Sequence, residues 1–404
     1  MTRSDMTHPR NIAVIDVGKT NVKLVVTDRA GAVLEMASAA NPVRPGPPWD
    51  HHDLPSLGPW VMETLAGLAR RHPVAHVIPT GHGVGTVLVG ADPDGGDGSG
   101  TALPMMDYEQ PCPEEVDAGY RARAGSFADR GSEVMQGSTH TARQLWRMQV
   151  ERPEDVARAA HVLHIAQYWA WWLSGVPASE HSMMGAQSHL RNLVTGGWSP
   201  IVEENGWARL LPPFRPAWEV LGPVRPALAR RYGLPEGIAV HTGAHDSSTN
   251  LYRYLAGGLD AFTLVSTGTW IVGLAPGLDV SGLSAEGGMS INSDMEGRPV
   301  AGALSMGAGE FVSVRSQREL LAASTPDTHD ADTVLRHLDV DANELALVFR
   351  ARGIPAADAQ AQHQGEKERQ DDALGQCELV QAGQQGAEGA DDQGIRWRWA
   401  DRDC

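Results

Sequence analysis

The sequence predicts an α/β protein built on mixed sheets covered by helices. Three observations carry this. Strand-like stretches crowd the N-terminus, an amphipathic helix and a further strand follow them, and a second β-rich region opens at residue 237. A chain of 404 residues has room for roughly two or three domains with sizeable cores.

Taken in order, 11–16 is apolar and strand-like. Residues 21–27 form a second strand with Val22, Leu24 and Val26 on one face. "DRAG" (28–31) is a turn, and "AVLEMAS" (32–38) a third strand, giving a β-meander. "LGPWVMETLAGLARRH" (57–72) has helical periodicity, and "VAHVIPTGHG" (74–83) is a strand ending in a Gly-rich turn. "ADPDGGDGSG" (91–100) is a surface turn. Residues 138–175 are mainly helical, with a break near Arg152-Pro153, and proline-rich irregular chain fills 200–226. The second β-rich region runs through "GIAVHTGAHD" (237–246) and "FTLVSTGTWIVGLAP" (262–276). Its hairpin carries a Gly-Thr turn like that of the first, which suggests two related domains.

Composition narrows the function. With 42% hydrophobic and 21% charged residues the chain is ordinary for a globular protein. A net charge of −17 argues against nucleic-acid binding, which needs a basic face. Cys112, Cys377 and Cys404 form no CxxC pair or disulfide framework, so a reducing cytoplasm is expected. The first residues have no apolar core of a signal peptide, and "HVLHIAQYWAWWLSGV" (161–176) is too short to span a membrane, so it reads as a buried helix. Its Tyr168, Trp169, Trp171 and Trp172 read as core packing rather than a sugar-stacking platform.

Gly18-Lys19-Thr20 ends like a nucleotide-binding P-loop, GxxxxGK[ST]. That loop needs a glycine at position 13, which is Ala13, and a helix after it. "NVKLVVTD" is β-branched and alternating, so a strand follows instead, and both requirements fail. The hairpin offers another geometry. Gly18 permits a tight turn and close approach to a ligand. Lys19, Thr20 and Asn21 can contact phosphate oxygens, Lys23 adds charge, and Asp16 can hold magnesium through water. A polar hairpin with no ligand is the bland alternative. "STGTW" (266–270) places Gly268 and Thr269 in a similar turn, and two such turns could clamp a nucleotide's phosphates. Asp246, at the end of an apolar strand, could accept a proton from a hydroxyl attacking a γ-phosphate. It could equally cap the helix "SSTNLYRYLAG".

Asp16-Val17-Gly18-Lys19-Thr20-Asn21 with Lys23, Gly81-His82-Gly83, Asp246 and Gly268-Thr269 occur in one order. The set resembles the FGGY family of carbohydrate kinases, in the branch containing rhamnulokinase and fuculokinase, from about residue 11 to about 350. The resemblance implies two RNase-H/actin-like (ASKHA) domains around a cleft, and transfer of the γ-phosphate of ATP to a sugar hydroxyl with Mg2+. It implies Asp246 as the base, Asp16 as the magnesium residue, and Gly18, Lys19, Thr20, Asn21, Lys23, Gly268 and Thr269 around the phosphates. Gly81, His82, His245 and Asp107 would line the sugar site, with Glu109 a weaker candidate. The sugar expected is a ketose such as L-rhamnulose or L-fuculose. Partners are then the sugar and ATP, with no nucleic acid or membrane, and a homo-oligomer stays open.

The domains expected are 11–236, an incomplete second domain over 237–354, and an atypical tail over 355–404. That tail is rich in Gln, Ala and Asp and nearly free of large aliphatic side chains, so disorder or an exposed helix is expected. Gly-rich turns that would hold the adenosine are not recognisable after about residue 350. The sequence therefore predicts an out-of-frame or foreign tail on a truncated kinase, with weak or absent activity. A non-catalytic sugar- or nucleotide-binding protein is the alternative function, and a P-loop hydrolase a third.

Overall fold

The structure is a computed structural model that describes residues 11–259, 262–267, 271–285, 288–305 and 377–382. It divides into two compact units, Met1–Arg253 with Asp279–Val300, and Tyr254–Leu278 with Ala301–Cys404.

The first unit is organised by one mixed sheet. β1 (Asn11–Val17) runs antiparallel to β2 (Asn21–Thr27), and β2 antiparallel to β3 (Val33–Ala40), which is the expected meander. Alternation is the cause: Ala13, Ile15 and Val17 are buried together with Val22, Leu24 and Val26. The short strands β4 (Val43–Arg44) and β5 (His51–His52) lead into α1 (Leu54–Arg71). Asp53 caps this helix by accepting the Ser56 N–H at 3.1 Å, and Val61, Met62, Leu65 and Leu68 pack on the sheet. β6 (Val74–Gly81) lies parallel to β1 on its free side.

β7 (Thr86–Val89) and β8 (Met105–Met106) come next, β8 pairing with β5. Then follow α2 (Glu114–Arg121), α3 (Phe127–Arg130), α4 (Thr141–Glu151) and α5 (Pro153–Arg158), broken at Pro153 as predicted. The stretch read as a single buried helix is not one. His161–His164 forms β9, antiparallel to β7, and α6 (Ile165–Ser174) begins after it. The open edge of β7 outcompetes helix formation for these first residues, a tertiary effect on a locally ambiguous apolar run. The aromatics of α6 are core. Trp169 and Trp171 are fully buried, Tyr168 Oη donates to Ser99 O at 3.0 Å and Trp172 Nε1 to Gly98 O at 3.0 Å. These last two bonds pin the Asp-Gly turn onto the helix. Each buried ring contributes roughly 1.5–3 kcal/mol.

After α7 (His181–Gly185), α8 (Pro200–Glu204), β10 (Val220–Pro223) and α9 (Pro226–Tyr232) come β11 (Ala239–His241), β12 (Ala244–His245) and α10 (Asp246–Ala256). The stretch 237–246, expected to open a second domain, joins the first sheet. β11 and β12 both run parallel to β6 on the edge that β1 leaves open, and Val240 is fully buried there. Gly243, between them, has φ +78°, and a Cβ at that position would lie 2.1 Å from Pro79 O. Only glycine lets the chain hug β6 so closely.

In the second unit β13 (Phe262–Thr267) pairs antiparallel with β14 (Ile271–Ala275). Past β15 (Met289–Ser293) of the first unit, β16 (Pro299–Ser305) pairs with β14, and β17 (Cys377–Ala382) with β13. In the segment predicted to be disordered or an exposed helix, Cys377–Ala382 is thus a strand. The other residues of 355–404, and the junction proposed near 350, lie outside the described residues. Among the described residues no helix is long and apolar enough to cross a membrane.

Candidate active site

The predicted residues of the first unit converge because three parallel strands end in register. Asp16 on β1 lies beside Thr80 on β6, and Thr80 beside Ala244 on β12. The next rung is Val17, Gly81 and His245. Asp16, His82 and Asp246 therefore leave the sheet at one carboxyl-terminal edge, where open α/β sheets bind ligands.

Two carboxylates dominate this edge. Burial, and then the charge of Asp246, raise the Asp16 carboxyl to about 6, while Lys23, its partner across the hairpin, pulls the other way. Asp246 begins α10. Burial raises its pKa, against the nearby His82 ring and the Ser247 donors. Oδ1 accepts the Ser247 N–H at 2.5 Å and Oγ–H at 3.2 Å. His245 Nε2 lies 3.2 Å from the same oxygen, with Nδ1 3.1 Å from Ser248 Oγ. Burial depresses the His245 pKa to about 4, so near neutral pH the ring is uncharged. Among the described residues both Ser247 donors meet Oδ1 and none is placed on Oδ2.

The hairpin turn is braced from β3. Asn41 N donates to Thr20 O at 2.7 Å, and Asn41 Nδ2 to Gly18 O at 2.9 Å. Gly18 N closes the turn on Asn21 O at 2.9 Å, and a Cβ on Gly18 would press on that oxygen at 3.0 Å. Thr20 and Asn21 are exposed. Lys19 is not presented with them. Its Nζ lies 2.9 Å from Asp107 Oδ1 and 3.0 Å from Glu109 Oε2, with the side chain 9% exposed. Asp107 and Glu109 thus hold a lysine, and Lys19 faces the predicted sugar residues instead of the phosphate turn. Gly268 and Thr269 lie outside the described residues.

His82 is buried. Its Nδ1–H donates to Gly83 O at 2.8 Å, and Nε2 has no hydrogen-bond partner. Gly81 does not present a contact surface: a Cβ there would lie 2.7 Å from Ile165 Cγ2 and 3.2 Å from Val17 O, so glycine lets α6 close on β6. Two features escaped the sequence. His52, buried on β5, approaches the same cluster, with Nε2 4.0 Å from Asp107 Oδ1. Glu180, fully buried, accepts Ser182 Oγ–H at 2.6 Å and Met183 N–H at 2.9 Å, and Ser182 Oγ accepts the His245 N–H at 3.1 Å. This chain of bonds anchors the amide just before Asp246. The signal for it was the Glu-x-Ser spacing inside "ASEHSMMG".

Comparison with known proteins bears on the family of the chain. The family model described as FGGY family of carbohydrate kinases, N-terminal domain, matches residues 121–252. The one described as Carbohydrate kinase FGGY, C-terminal domain, matches 259–374, past the compositional change at 355. An L-fuculokinase of Salmonella typhi is 27% identical over 269 residues, 64% of this chain and 55% of that protein. The chain therefore spans about half the length of the curated relatives it matches. The solved structure of a carbohydrate kinase from Novosphingobium aromaticivorans is 32% identical with a TM-score of 0.68, covering 76% of this chain and 65% of its own. A xylulose kinase from Rhodospirillum rubrum shares the fold at 19% identity and a TM-score of 0.62, covering 86% of this chain and 68% of its own. With both halves of one family matched in order, and the strand ends arranged as above, the chain belongs to the FGGY family of carbohydrate kinases.

Proposed function

We propose that this chain transfers the γ-phosphate of ATP to a hydroxyl of a ketose such as L-fuculose or L-rhamnulose, with Asp246 as general base. The observation that carries the reading is Asp246 itself. Its Oδ1 is held by the two Ser247 donors, its Oδ2 takes no donor among the described residues and can receive a substrate hydroxyl, and its raised pKa suits a group that must take a proton. As the sugar oxygen bonds to the γ-phosphorus, its proton passes to Asp246, and ADP departs with the electrons of the broken P–O bond. Thr20 and Asn21 on the braced turn, with Gly268 and Thr269, are the proposed phosphate contacts. Lys19 is reassigned to the acceptor side, where it ties Asp107 and Glu109 together.

Magnesium fits as a companion of ATP rather than as a resident of a protein cage. Among the described residues no group of three or more His, Cys, Asp or Glu side chains could hold a metal ion. Mg2+ asks less, since one or two carboxylates, waters and substrate phosphates suffice. Asp16, crowded by the charge of Asp246, is the carboxylate a cation would relieve. When bound, the ion would neutralise charge on the phosphates. Dependence on ATP puts the reaction in the cytoplasm.

A coupled assay of ADP release tests this with L-fuculose, L-rhamnulose, D-xylulose and glycerol at saturating ATP and magnesium. Sugar-dependent ADP release at a rate well below the ~10 per second typical of enzymes is the expected result, because the turns that would hold the adenosine are not recognisable after about residue 350. ADP release that ignores every sugar in the panel would refute it.

A further inference from the structure

We propose that His52 is a hydroxyl-binding side chain of the acceptor subsite, and that this subsite takes an uncharged polyhydroxylated sugar and rejects a sugar acid. The inference rests on the reading of this edge as the acceptor site of a kinase.

His52 is 2% exposed, yet neither ring nitrogen has a hydrogen-bond partner. Leaving both atoms of a buried imidazole unpaired is costly, and such groups in native proteins call for an explanation. The β5–β8 pairing sets His52 opposite Met105, so Asp107, two residues on, is its diagonal neighbour. The gap from Nε2 to Asp107 Oδ1 is 4.0 Å, too long for a direct bond. A hydroxyl oxygen 2.8 Å from both atoms would subtend roughly 90°, within reach of normal geometry. Such a hydroxyl donates to the carboxylate and accepts from the imidazole N–H. The His82 ring lies 6.3 Å away centroid to centroid, with its own Nε2 unpaired and available to accept from a second hydroxyl. Two neighbouring buried imidazoles with unmet bonding capacity suit a polyol, which brings several donors and acceptors at once.

Charge sets the class. Burial first, then the nearby His82 and Lys19, lower the His52 pKa to about 4, so the ring carries no charge near neutral pH. Lys19 is shared between Asp107 and Glu109, and that trio is net negative. Asp246 adds a further carboxylate, and Lys23 stands across the hairpin from Asp16, whose charge offsets it. A substrate carboxylate would meet repulsion here, whereas sugar hydroxyls meet acceptors.

The test is steady-state kinetics and calorimetric sugar binding on the full chain, using L-fuculose, L-rhamnulose, D-xylulose and D-gluconate as probes. His52→Ala should raise KM and Kd for the preferred neutral sugar by about tenfold, the worth of one hydrogen bond, with KM for ATP little changed. His52→Gln, which restores a donor and an acceptor, should recover much of that loss. A merely structural histidine would lower the melting temperature and disturb both substrates without rescue by glutamine. The proposal is overturned if sugar affinity is unchanged in a folded His52→Ala protein, if glutamine gives no recovery, or if D-gluconate binds as well as the neutral sugars. It also fails if the wild type binds none of the neutral sugars. Sugar binding without phosphate transfer would sink the kinase reading and leave His52 to be judged by Kd alone.

Discussion

Glu180 is a fully buried carboxyl whose pKa is raised to about 7 from an ordinary 4.5. Burial is the main cause, the Asp294 charge adds to it, and the Ser182 and Met183 donors oppose it. The unfolded chain releases this proton near 4.5 and the folded chain near 7. Between those values the folded state holds the extra proton, so rising pH favours unfolding, and the contribution is lost once pH passes the folded value. At about 1.4 kcal/mol per pH unit the loss amounts to roughly 3 kcal/mol. Glu180→Gln keeps an oxygen for Ser182 and Met183 but does not titrate. We predict that its stability relative to wild type rises by roughly 3 kcal/mol between about pH 4 and pH 8. Urea unfolding followed by tryptophan fluorescence measures this, because Trp49, Trp169, Trp171 and Trp207 are buried in the first unit. Groups such as Asp16 titrate in both proteins and cancel in the difference. A stability difference that stays constant across this pH range would refute the reasoning.

Lys19→Met should cost about 3 kcal/mol, because it leaves Asp107 facing Glu109 without their cation, and adding Asp107→Asn should recover part of it in a double-mutant cycle. The same variant should bind ATP nearly as well as wild type in a calorimetric titration, whereas a P-loop lysine would be indispensable. Gly81→Ala should lower stability by about 1–3 kcal/mol in thermal or urea unfolding, since its Cβ would press on Ile165 Cγ2 at 2.7 Å.

Much of this site was legible because strand ends are legible. Apolar runs closed by Asp16-Val17-Gly18, Gly81-His82 and His245-Asp246 announce where β1, β6 and β12 stop. The strands that reach this edge are long-range partners, so their register could not be read from any one of them. That Val17, Gly81 and His245 share a rung, and that β11 and β12 belong to the first sheet, are tertiary facts. Lys19 shows the limit differently. Its neighbours in the chain are phosphate-type residues, but its charge is drawn to carboxylates nearly ninety positions away. His52 was hidden because nothing in the chain beside it marks a site, and only the pairing of β5 with β8 brings it near Asp107. The wide aromatic run of α6 was correctly core, yet its first turn was lost to β9 because an unpaired neighbour strand is invisible in sequence.

The central claim is that Asp246 does chemistry and does not merely bind. It is tested most directly by Asp246→Asn, with turnover and sugar binding measured on one preparation of the full chain. Asparagine keeps an oxygen for the Ser247 donors but takes a proton poorly. Phosphate transfer should fall by roughly two to four orders of magnitude, with sugar affinity little changed. Turnover close to wild type in a folded Asp246→Asn protein would contradict it.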